Sequence, residues 1–461
     1  MTVTYFSHWK NKTLKSLLFF LTILLAGLLF SSIVLATDAV SPTDARPFTS
    51  MDAEWDAWEY QIPITLENRD SETSGALPTD VTFAIFADQI DDPEREIRIV
   101  RKTGSGLEEV PFQLWNVTRW DQDTDGERSK ATVAGTVTFF DESGPVERAE
   151  YLLLYGNETA SRPSYDTDLS VSGEAPELVI SNSVMTVDLH SSGQLAAVDP
   201  VGSSGKIDTP RGLLHWNPGV FIPTRYWAHA WDWDPPQMVE LESGPIFVML
   251  KRSGTMPEFP ELSVSITYRV FTGRPYVESS TRLHLTENLG VVALRNDQLI
   301  FDPMMFDQLA WLDENDEEVV AKFSDYDTVN SHGDILRLNP DVGYLAFFNT
   351  NRKLGAATVR LEAMNSGPDG EPPVLFDHAT YIAEAGELTY WFRPLVYFHV
   401  DWSREKLIPV PEGSIYSEKN LYLFFTPESE EEAVSELNYY RRAADRSVRI
   451  NIGDYPLPPS R

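Results

Sequence analysis

Short runs of alternating apolar and polar residues constrain the fold of this chain more than any other feature. Examples are residues 60–66, 81–86 and 134–140, and turn-forming residues separate these runs from their neighbours. Alternation with a period of two residues is typical of half-buried β-strands. Because a strand with one apolar face needs a second layer to cover it, the sequence predicts an all-β fold built from packed antiparallel sheets.

The strand-like runs fall into two blocks, as expected for a chain of 461 residues. Residues 59–165 are predicted to form a small N-terminal β-barrel or sandwich, and residues 176–450 a large antiparallel β-supersandwich that would carry the catalytic function. Residues 37–58 are polar, contain proline, and are predicted to be a linker. The sequence specifies no oligomeric state.

One short C-terminal segment has the pattern of a helix. Thr426 is a suitable N-cap, Pro427 suits the first turn, and the acidic residues that follow complement the positive end of the helix dipole. We expect this helix to cover an edge of the large sheet.

The N-terminus has the pattern of an export signal. Lys10, Lys12 and Lys15 precede an uncharged run, which ends at Ala36. This arrangement is typical of a secretory signal peptide spanning residues 1–36, so we expect a secreted or periplasmic protein. Because the run is also long enough to span a bilayer, the protein would attach to a membrane if the segment stayed uncleaved.

Composition excludes several classes of function. The chain has 70 acidic and 37 basic residues, and its formal charge of -33 argues against nucleic acid as a partner. It has no cysteine, which excludes disulfides, thiolate metal sites and thiol nucleophiles. No cofactor is expected to be required.

The stretch from residue 215 to 236 is the strongest candidate for a functional site. It holds four tryptophans together with Arg225, Tyr226 and His229, and it shows no strand-like alternation. Indole rings stack on the apolar face of a sugar ring, while polar side chains bond its hydroxyls. The stretch is therefore predicted to be a loop that binds sugar, and the alternative is an aromatic cluster that only fills space. The four tryptophans are Trp216, Trp227, Trp231 and Trp233.

Other polar clusters are candidates to complete the site. His332 lies in a polar turn sequence, where an exposed imidazole titrates near neutral pH. Arg295 and Asn296 belong to a polar cluster that we expect in a loop or at a strand end. Arg352 and Lys353 form a basic patch, which is either part of a polyanion site or an ordinary turn with solvated charges.

Asp121, Asp123 and Asp125 alternate before Gly126, a pattern that aims several carboxylates at one Ca²⁺ ion. An EF-hand is excluded because its last ligand position falls on Thr132. The segment is either a simpler turn that could hold a structural Ca²⁺ or an acidic, solvated hairpin.

Two stretches resemble known carbohydrate-active proteins. Residues 242–245 before a strand, with residues 267–271 and 278–280, resemble the β-supersandwich of galactose-mutarotase-like proteins and polysaccharide lyases. The opening of the first domain at residues 62–68 resembles the N-terminal domain of exo-rhamnogalacturonan-lyase-type proteins. The resemblance implies a polysaccharide or oligosaccharide substrate.

A lyase of this kind would act on a uronic acid by β-elimination, which requires neutralisation of a carboxylate and removal of the neighbouring proton. The residues of this sequence best suited to acid-base chemistry are Tyr226 and His229, with His332 completing the cleft. Arg225 would hold the carboxylate, and Arg295 with Asn296 offers a second neutralising pair.

Three alternatives remain open from the sequence. A glycoside hydrolase would use paired carboxylates, and Asp232, Asp234, Glu240 and Glu242 lie close together in sequence. A noncatalytic glycan-binding protein would use the tryptophans alone. A sugar epimerase or mutarotase is the third.

Overall fold

The computed structural model gives the protein as a set of antiparallel β-sheets. It describes residues 46–47, 55–68, 71–73, 75–120, 131–142, 144–209, 212–222, 227–302, 304–325, 334–338, 342–369, 378–382, 389–397 and 407–445. The predicted signal peptide lies outside these residues. Within the described part of the chain, no helix is both long enough and apolar enough to cross a bilayer.

The N-terminal part consists of two antiparallel sheets, one of five strands in the order β1-β2-β8-β4-β5 and one of three in the order β3-β7-β6. Ile64, Ile99 and Leu153 from one sheet meet Val81 and Val137 from the other in a single core. The elements are β1 (Arg46–Pro47), β2 (Tyr60–Glu67), β3 (Pro78–Phe86), α1 (Pro93–Glu96), β4 (Arg98–Thr103), β5 (Gly106–Glu109), β6 (Phe112–Trp120), β7 (Thr132–Phe140) and β8 (Arg148–Tyr155).

The remaining strands form four further sheets. The elements are β9 (Ser170–Glu174), β10 (Glu177–Ser181), β11 (Met185–Leu189), β12 (Leu195–Pro200), β13 (Gly219–Phe221), β14 (Trp227–His229), β15 (Met238–Ser243), β16 (Phe247–Met256), β17 (Phe259–Phe271), β18 (Tyr276–Leu285), β19 (Leu289–Val291), β20 (Ala293–Phe301), β21 (Gln308–Leu312), β22 (Glu318–Lys322), β23 (Asp334–Leu338), β24 (Tyr344–Asn349), β25 (Leu354–Ser366), β26 (His378–Ile382), β27 (Thr389–Tyr397), β28 (Ile408–Val410), β29 (Ile415–Phe425) and α2 (Glu430–Asp445).

A nine-stranded sheet in the order β15-β16-β17-β18-β29-β25-β24-β21-β22 is the largest element of the fold. A six-stranded sheet, β14-β13-β20-β27-β26-β23, and a four-stranded sheet, β12-β11-β10-β9, lie on its inner side. Strands β19 and β28 form a separate pair. The inner core joins Ile266 and Phe424 of the large sheet to Leu294 and Leu299 of the six-stranded sheet. The predicted all-β sandwich is therefore confirmed.

The outer side of the nine-stranded sheet is covered by α2 and by the N-terminal part. Helix α2 buries Ala433 and Leu437 against the sheet face, so our expectation that it covers a sheet edge was wrong. It also begins later than the proposed cap at Thr426. Ser429 caps it instead, because its hydroxyl accepts a hydrogen bond from Glu432 N at 3.1 Å.

An ion-pair network joins the N-terminal part to the large sheet. The buried guanidinium of Arg269 on β17 donates to both carboxylate oxygens of Asp80 on β3, at 3.1 and 2.9 Å. It also donates to Glu278 on β18 at 2.8 Å. Paired in this way, the charge of Arg269 is compensated although the side chain is only 5% exposed.

The pairing of Arg269 with Asp80 predicts a pH-dependent contribution to stability. Burial raises the pKa of Asp80, but the charge and hydrogen bonds of Arg269, together with the charge of Lys419 and the hydrogen bond from Thr138, outweigh burial and lower it from 3.8. A lowered pKa means that the stabilisation is complete above about pH 4 and is lost as the pH falls through the folded-state value. We expect Asp80→Asn to lower the free energy of unfolding by about 1–3 kcal/mol at pH 7.

Urea unfolding of wild type and Asp80→Asn between pH 7 and pH 3 measures this contribution. The difference between them should shrink below about pH 4. Asp56→Asn, at an exposed position, is the control and should change little. Equal stability of wild type and Asp80→Asn at pH 7 would contradict the assigned role of this pair.

Candidate functional site

Three tryptophans and a histidine predicted to form the site lie together in the structure. We call Trp216, Trp227, His229 and Trp231 the tryptophan group. Their ring centroids lie 5.4 Å apart for Trp216 and His229, 5.2 Å for Trp216 and Trp231, and 5.6 Å for Trp227 and His229. The three indoles are half-buried, and His229 is buried. The group therefore combines aromatic surface with a shielded imidazole.

Short strands hold this group, and our expectation of a plain loop was wrong in that respect. Gly219–Phe221 forms β13 and Trp227–His229 forms β14, and β13 also pairs with β20. A three-residue strand is too short to show alternation in the sequence. Trp227 and His229 are two residues apart on β14 and therefore share one face of the sheet.

Gly219 is the residue that lets the side chains of this site approach one another. It pairs with His229 on one side and with Arg295 on the other. A Cβ atom at this position would lie 2.5 Å from Asn217 Oδ1 and 2.6 Å from His229 Nδ1. Only glycine therefore fits between these two side chains.

Arg295 and Asn296 lie inside β20, not in a loop or at a strand end as we expected. The register of β20 against β27 shifts around Arg295 and Asp297. Such irregularities re-aim side chains, and they were not visible in the sequence. The guanidinium carbon of Arg295 lies 4.5 Å from the ring centroid of Trp227. A positive charge therefore lies directly against the tryptophan group.

His229 is held in its neutral form. Burial, followed by the charge of Arg295, lowers the pKa of its imidazole to about 3, although a backbone hydrogen bond at Trp216 opposes the shift. The ring nitrogen Nδ1 lies 3.2 Å from Asn217 Oδ1. Since Asn217 Nδ2 donates to Gln298 Oε1 at 2.5 Å, Asn217 Oδ1 is the atom that accepts from the imidazole. At neutral pH, His229 is a hydrogen-bonding group and only a weak base.

A buried polar network extends inward from His229. The side-chain nitrogen of Gln194 donates to Asn217 O at 2.9 Å, and Arg252 donates to Gln194 Oε1 at 2.5 Å. Arg252 is completely buried beneath the ring of Tyr268, whose centroid is 5.6 Å from the guanidinium carbon. The network thus links the tryptophan group to the nine-stranded sheet.

Asp297 is the second anchor of this network. It accepts hydrogen bonds from Tyr422 Oη at 2.6 Å and from Asn420 Nδ2 at 2.7 Å, both on β29. His215 lies between the two sheets, with Nδ1 2.5 Å from Tyr268 Oη and Nε2 3.4 Å from Asp297. Burial lowers the pKa of His215 despite the neighbouring Asp297.

Two polar groups at the site have no hydrogen-bond partner among the described residues. Both amide atoms of Asn296 are buried and unpaired there, and so is the indole nitrogen of Trp231. Buried polar groups are normally hydrogen-bonded. Any partner of these buried atoms comes from a ligand or from the parts of the chain that are not described.

The other predicted site residues lie elsewhere or outside the described part of the chain. Arg352 donates to Met304 O at 2.9 Å, and Lys353 bonds Glu428 at 2.6 Å, so these two are held in other contacts. Trp233 is buried, and its indole nitrogen donates to Thr255 O at 2.8 Å. The residues outside the described part are Arg225, Tyr226 and His332.

Two of the acids considered for a hydrolase, Asp232 and Glu240, have separate contacts. Asp232 Oδ2 accepts from the backbone nitrogen of His229 at 2.9 Å. Glu240 on β15 pairs with Lys251 at 2.9 Å. Among the described residues, no group of three or more metal-ligating side chains is present. The predicted Ca²⁺ ligands Asp121, Asp123 and Asp125 lie outside these residues.

Our sequence reasoning missed several residues of the network. Tyr268 and Tyr422 occupy positions in phase with the apolar residues that face the core, such as Ile266 and Phe424. Asn420 shares that phase on β29 and is polar. Polar side chains on the buried face of a strand were the signal that could have identified this layer.

Comparison with known proteins identifies the fold only. No family model and no curated protein matches the chain. A glycosyl hydrolase family 38 protein from Enterococcus faecalis aligns over 90% of this chain and 49% of its own, with 11% identity and a TM-score of 0.50. An alpha-mannosidase from Enterococcus faecalis V583 aligns over 89% and 47%, with 12% identity and a TM-score of 0.52.

The chain spans about half the length of these two structures. A galactose mutarotase-like protein from Lactobacillus casei ATCC 334 aligns over 54% of this chain and 99% of its own, with 9% identity and a TM-score of 0.34. At the identities of the two Enterococcus faecalis structures, only the fold is shared. The large β-sandwich is thus supported, while a lyase activity stays a prediction.

Replacing Gly219 tests whether the tryptophan group depends on this close approach. Gly219→Ala would push a methyl group into Asn217 and His229, and we expect it to destabilise the protein by about 1–3 kcal/mol. Gly205→Ala is the matched control, because a Cβ there meets nothing within 4 Å. Thermal unfolding of both variants measures the difference, and an equal effect would contradict the proposed packing.

Proposed function

We propose that the protein is a carbohydrate-active protein that binds a polysaccharide or oligosaccharide at the tryptophan group. The observation that carries this proposal is the set of half-buried indoles around a neutral imidazole, with Arg295 beside them. Aromatic faces bind the apolar side of sugar rings, and hydrogen-bonding groups fix their hydroxyls. The named activities of the two structures with TM-scores of 0.50 and 0.52 concern carbohydrates, which supports the same class.

We further propose that the sugar carries a carboxylate. Arg295 is buried, with 8% of its surface exposed, and places its charge beside the indole of Trp227. A guanidinium is the side chain best suited to bond a carboxylate. In a chain with a charge of -33, a positive group at an aromatic site favours an acidic ligand over a neutral one. A uronic-acid-containing glycan fits both features.

The reaction that we propose is β-elimination. A base removes the proton next to the uronate carboxylate, the bond to the leaving sugar oxygen breaks, a carbon–carbon double bond forms, and the leaving oxygen takes a proton. Arg295 and Asn296 would neutralise the carboxylate. Because the pKa of His229 is about 3, we assign it a hydrogen-bonding role and propose Tyr226 as the base.

Arg225 and His332 keep their predicted roles in this proposal, as a carboxylate ligand and as a further acid-base group. The N-terminal segment supports action outside the cytoplasm, in a secreted or periplasmic form.

Polygalacturonate, alginate and heparan sulfate are the first substrates to test with the purified protein. Elimination predicts a rise in both ultraviolet absorbance and reducing ends, because only elimination makes an unsaturated uronate. Reducing ends without absorbance would contradict elimination and favour a glycoside hydrolase. Binding without either product would favour a noncatalytic glycan-binding protein.

Trp231→Ala tests the location of the site. Loss of one aromatic contact should weaken binding of the responding polysaccharide about tenfold, which corresponds to about 1.4 kcal/mol. Trp120→Ala is the matched control, because Trp120 is 63% exposed on β6, away from the tryptophan group. Circular dichroism checks that both variants fold. Equal affinities of wild type and Trp231→Ala would place the binding site elsewhere.

A further inference from the structure

A second cleft lies on the opposite side of the nine-stranded sheet, where the N-terminal part meets it. We call it the junction cleft, and its volume is about 420 Å³. The floor comes from β16, β17, β18 and β29, and the walls come from β3, β6 and β15. Its polar and aromatic lining includes Trp115, Lys251, Thr267, Glu278, Ser280 and Lys419.

Trp115 provides an aromatic wall to this cleft. Its indole nitrogen donates to Thr138 Oγ1 at 2.8 Å, and its ring packs edge-on against Phe247, with centroids 5.7 Å apart. Strand β6 shifts register immediately after Trp115, where Asn116 has a φ of 54°. Since asparagine tolerates this left-handed conformation, the shift leaves a fixed, half-buried indole beside an exposed amide.

The charges in the cleft are paired with one another. Arg269 bonds Asp80 and Glu278, and Lys419 lies 3.4 Å from Glu278. Lys251 Nζ donates to both carboxylate oxygens of Glu240, at 2.9 and 3.1 Å. Three cations and three carboxylates therefore compensate each other, while each pair keeps lone pairs or N–H groups for a ligand.

Glu242 is the fourth carboxylate that lines the cleft. Burial and the charge of Glu94 raise its pKa, so a further negative charge in the cleft is disfavoured. A strongly anionic ligand would be repelled by the carboxylate of Glu242. The neighbouring ion pairs, which are neutral overall, would not attract it. A cationic ligand would find the carboxylates of Asp80, Glu240 and Glu278 already engaged by the cations of the cleft.

We propose that the junction cleft is a second carbohydrate site, which binds a neutral saccharide. Sugar hydroxyls donate and accept at once, and therefore suit a lining in which paired amines and carboxylates alternate with the hydroxyls of Thr267 and Ser280. The indole of Trp115 supplies the stacking surface. The cleft is large enough for a small oligosaccharide. This inference is independent of the tryptophan group, because the two sites lie on opposite faces of the large sheet.

Calorimetric titration of the complete protein with mannohexaose, cellohexaose and xylohexaose tests the proposal. Thr267→Phe would fill the floor of the cleft, and Ser280→Phe would do so from the neighbouring strand, since these two residues are cross-strand partners. We expect at least one of the three sugars to bind, and each variant to weaken that binding at least tenfold. Ser265→Phe is the matched control, two residues earlier on the same face of β17 and outside the cleft lining.

The outcomes separate this site from the tryptophan group. Trp231→Ala should leave binding of the neutral sugar unchanged, whereas Thr267→Phe should leave binding of the acidic polysaccharide unchanged. Absence of binding of all three sugars would overturn the proposal for the cleft. Equal affinities of wild type, Thr267→Phe and Ser280→Phe would also overturn it. Neither result would bear on the proposed binding of an acidic sugar at the tryptophan group.

Discussion

The carboxylate of Asp297, buried between the two large sheets, is the constraint on which the rest of the structure depends. A buried carboxylate is stable only when hydrogen bonds replace its hydration. Tyr422 and Asn420 supply them from β29 of the opposite sheet, at 2.6 and 2.7 Å. These bonds hold only if the six-stranded sheet lies in one position against the nine-stranded sheet. The apolar core provides most of the burial, and this polar contact selects one arrangement of it.

The same arrangement of the two sheets positions the side chains of the tryptophan group. Asn217 is held by Gln298 of β20, and Asn217 in turn orients His229. The neutral state of His229 follows from its burial and from Arg295. Indoles and imidazole are therefore fixed before any ligand arrives, which reduces the entropy cost of binding. The acidic chain as a whole repels an acidic sugar, whereas the buried positive charge of Arg295 attracts its carboxylate to this point.

The fold was predictable because long strands carry their own signal. The run at residues 60–66 alternates between buried and half-buried positions from Ile62 onward and forms most of β2 as expected. The tryptophan group was predictable from composition, because aromatic and polar residues crowd into one stretch. The strands that hold the tryptophan group in place were not predictable from the sequence. β13 and β14 have three residues each, and the partner that makes them strands is β20, whose Arg295 lies some 70 residues from β13 or β14 in the sequence.

The cap of helix α2 and the buried polar network also depend on contacts between distant residues, which the sequence does not show. Thr426 and Ser429 are both acceptable caps by residue type, and the structure uses Ser429, in a helix whose Leu437 packs on the sheet. Asn420 and Asp297 lie 123 positions apart in the sequence, so no local pattern connects them. Residue type predicted which groups could act at the site, whereas their contacts depended on sheet register.

In the proposed complex, an acidic sugar lies against the tryptophan group with its carboxylate at Arg295. A crystal structure of the complete protein with trigalacturonate would show whether this complex forms. We expect a sugar ring in contact with Trp231 and a carboxylate within hydrogen-bond distance of Arg295. A sugar bound elsewhere on the molecule, with the tryptophan group empty, would contradict it.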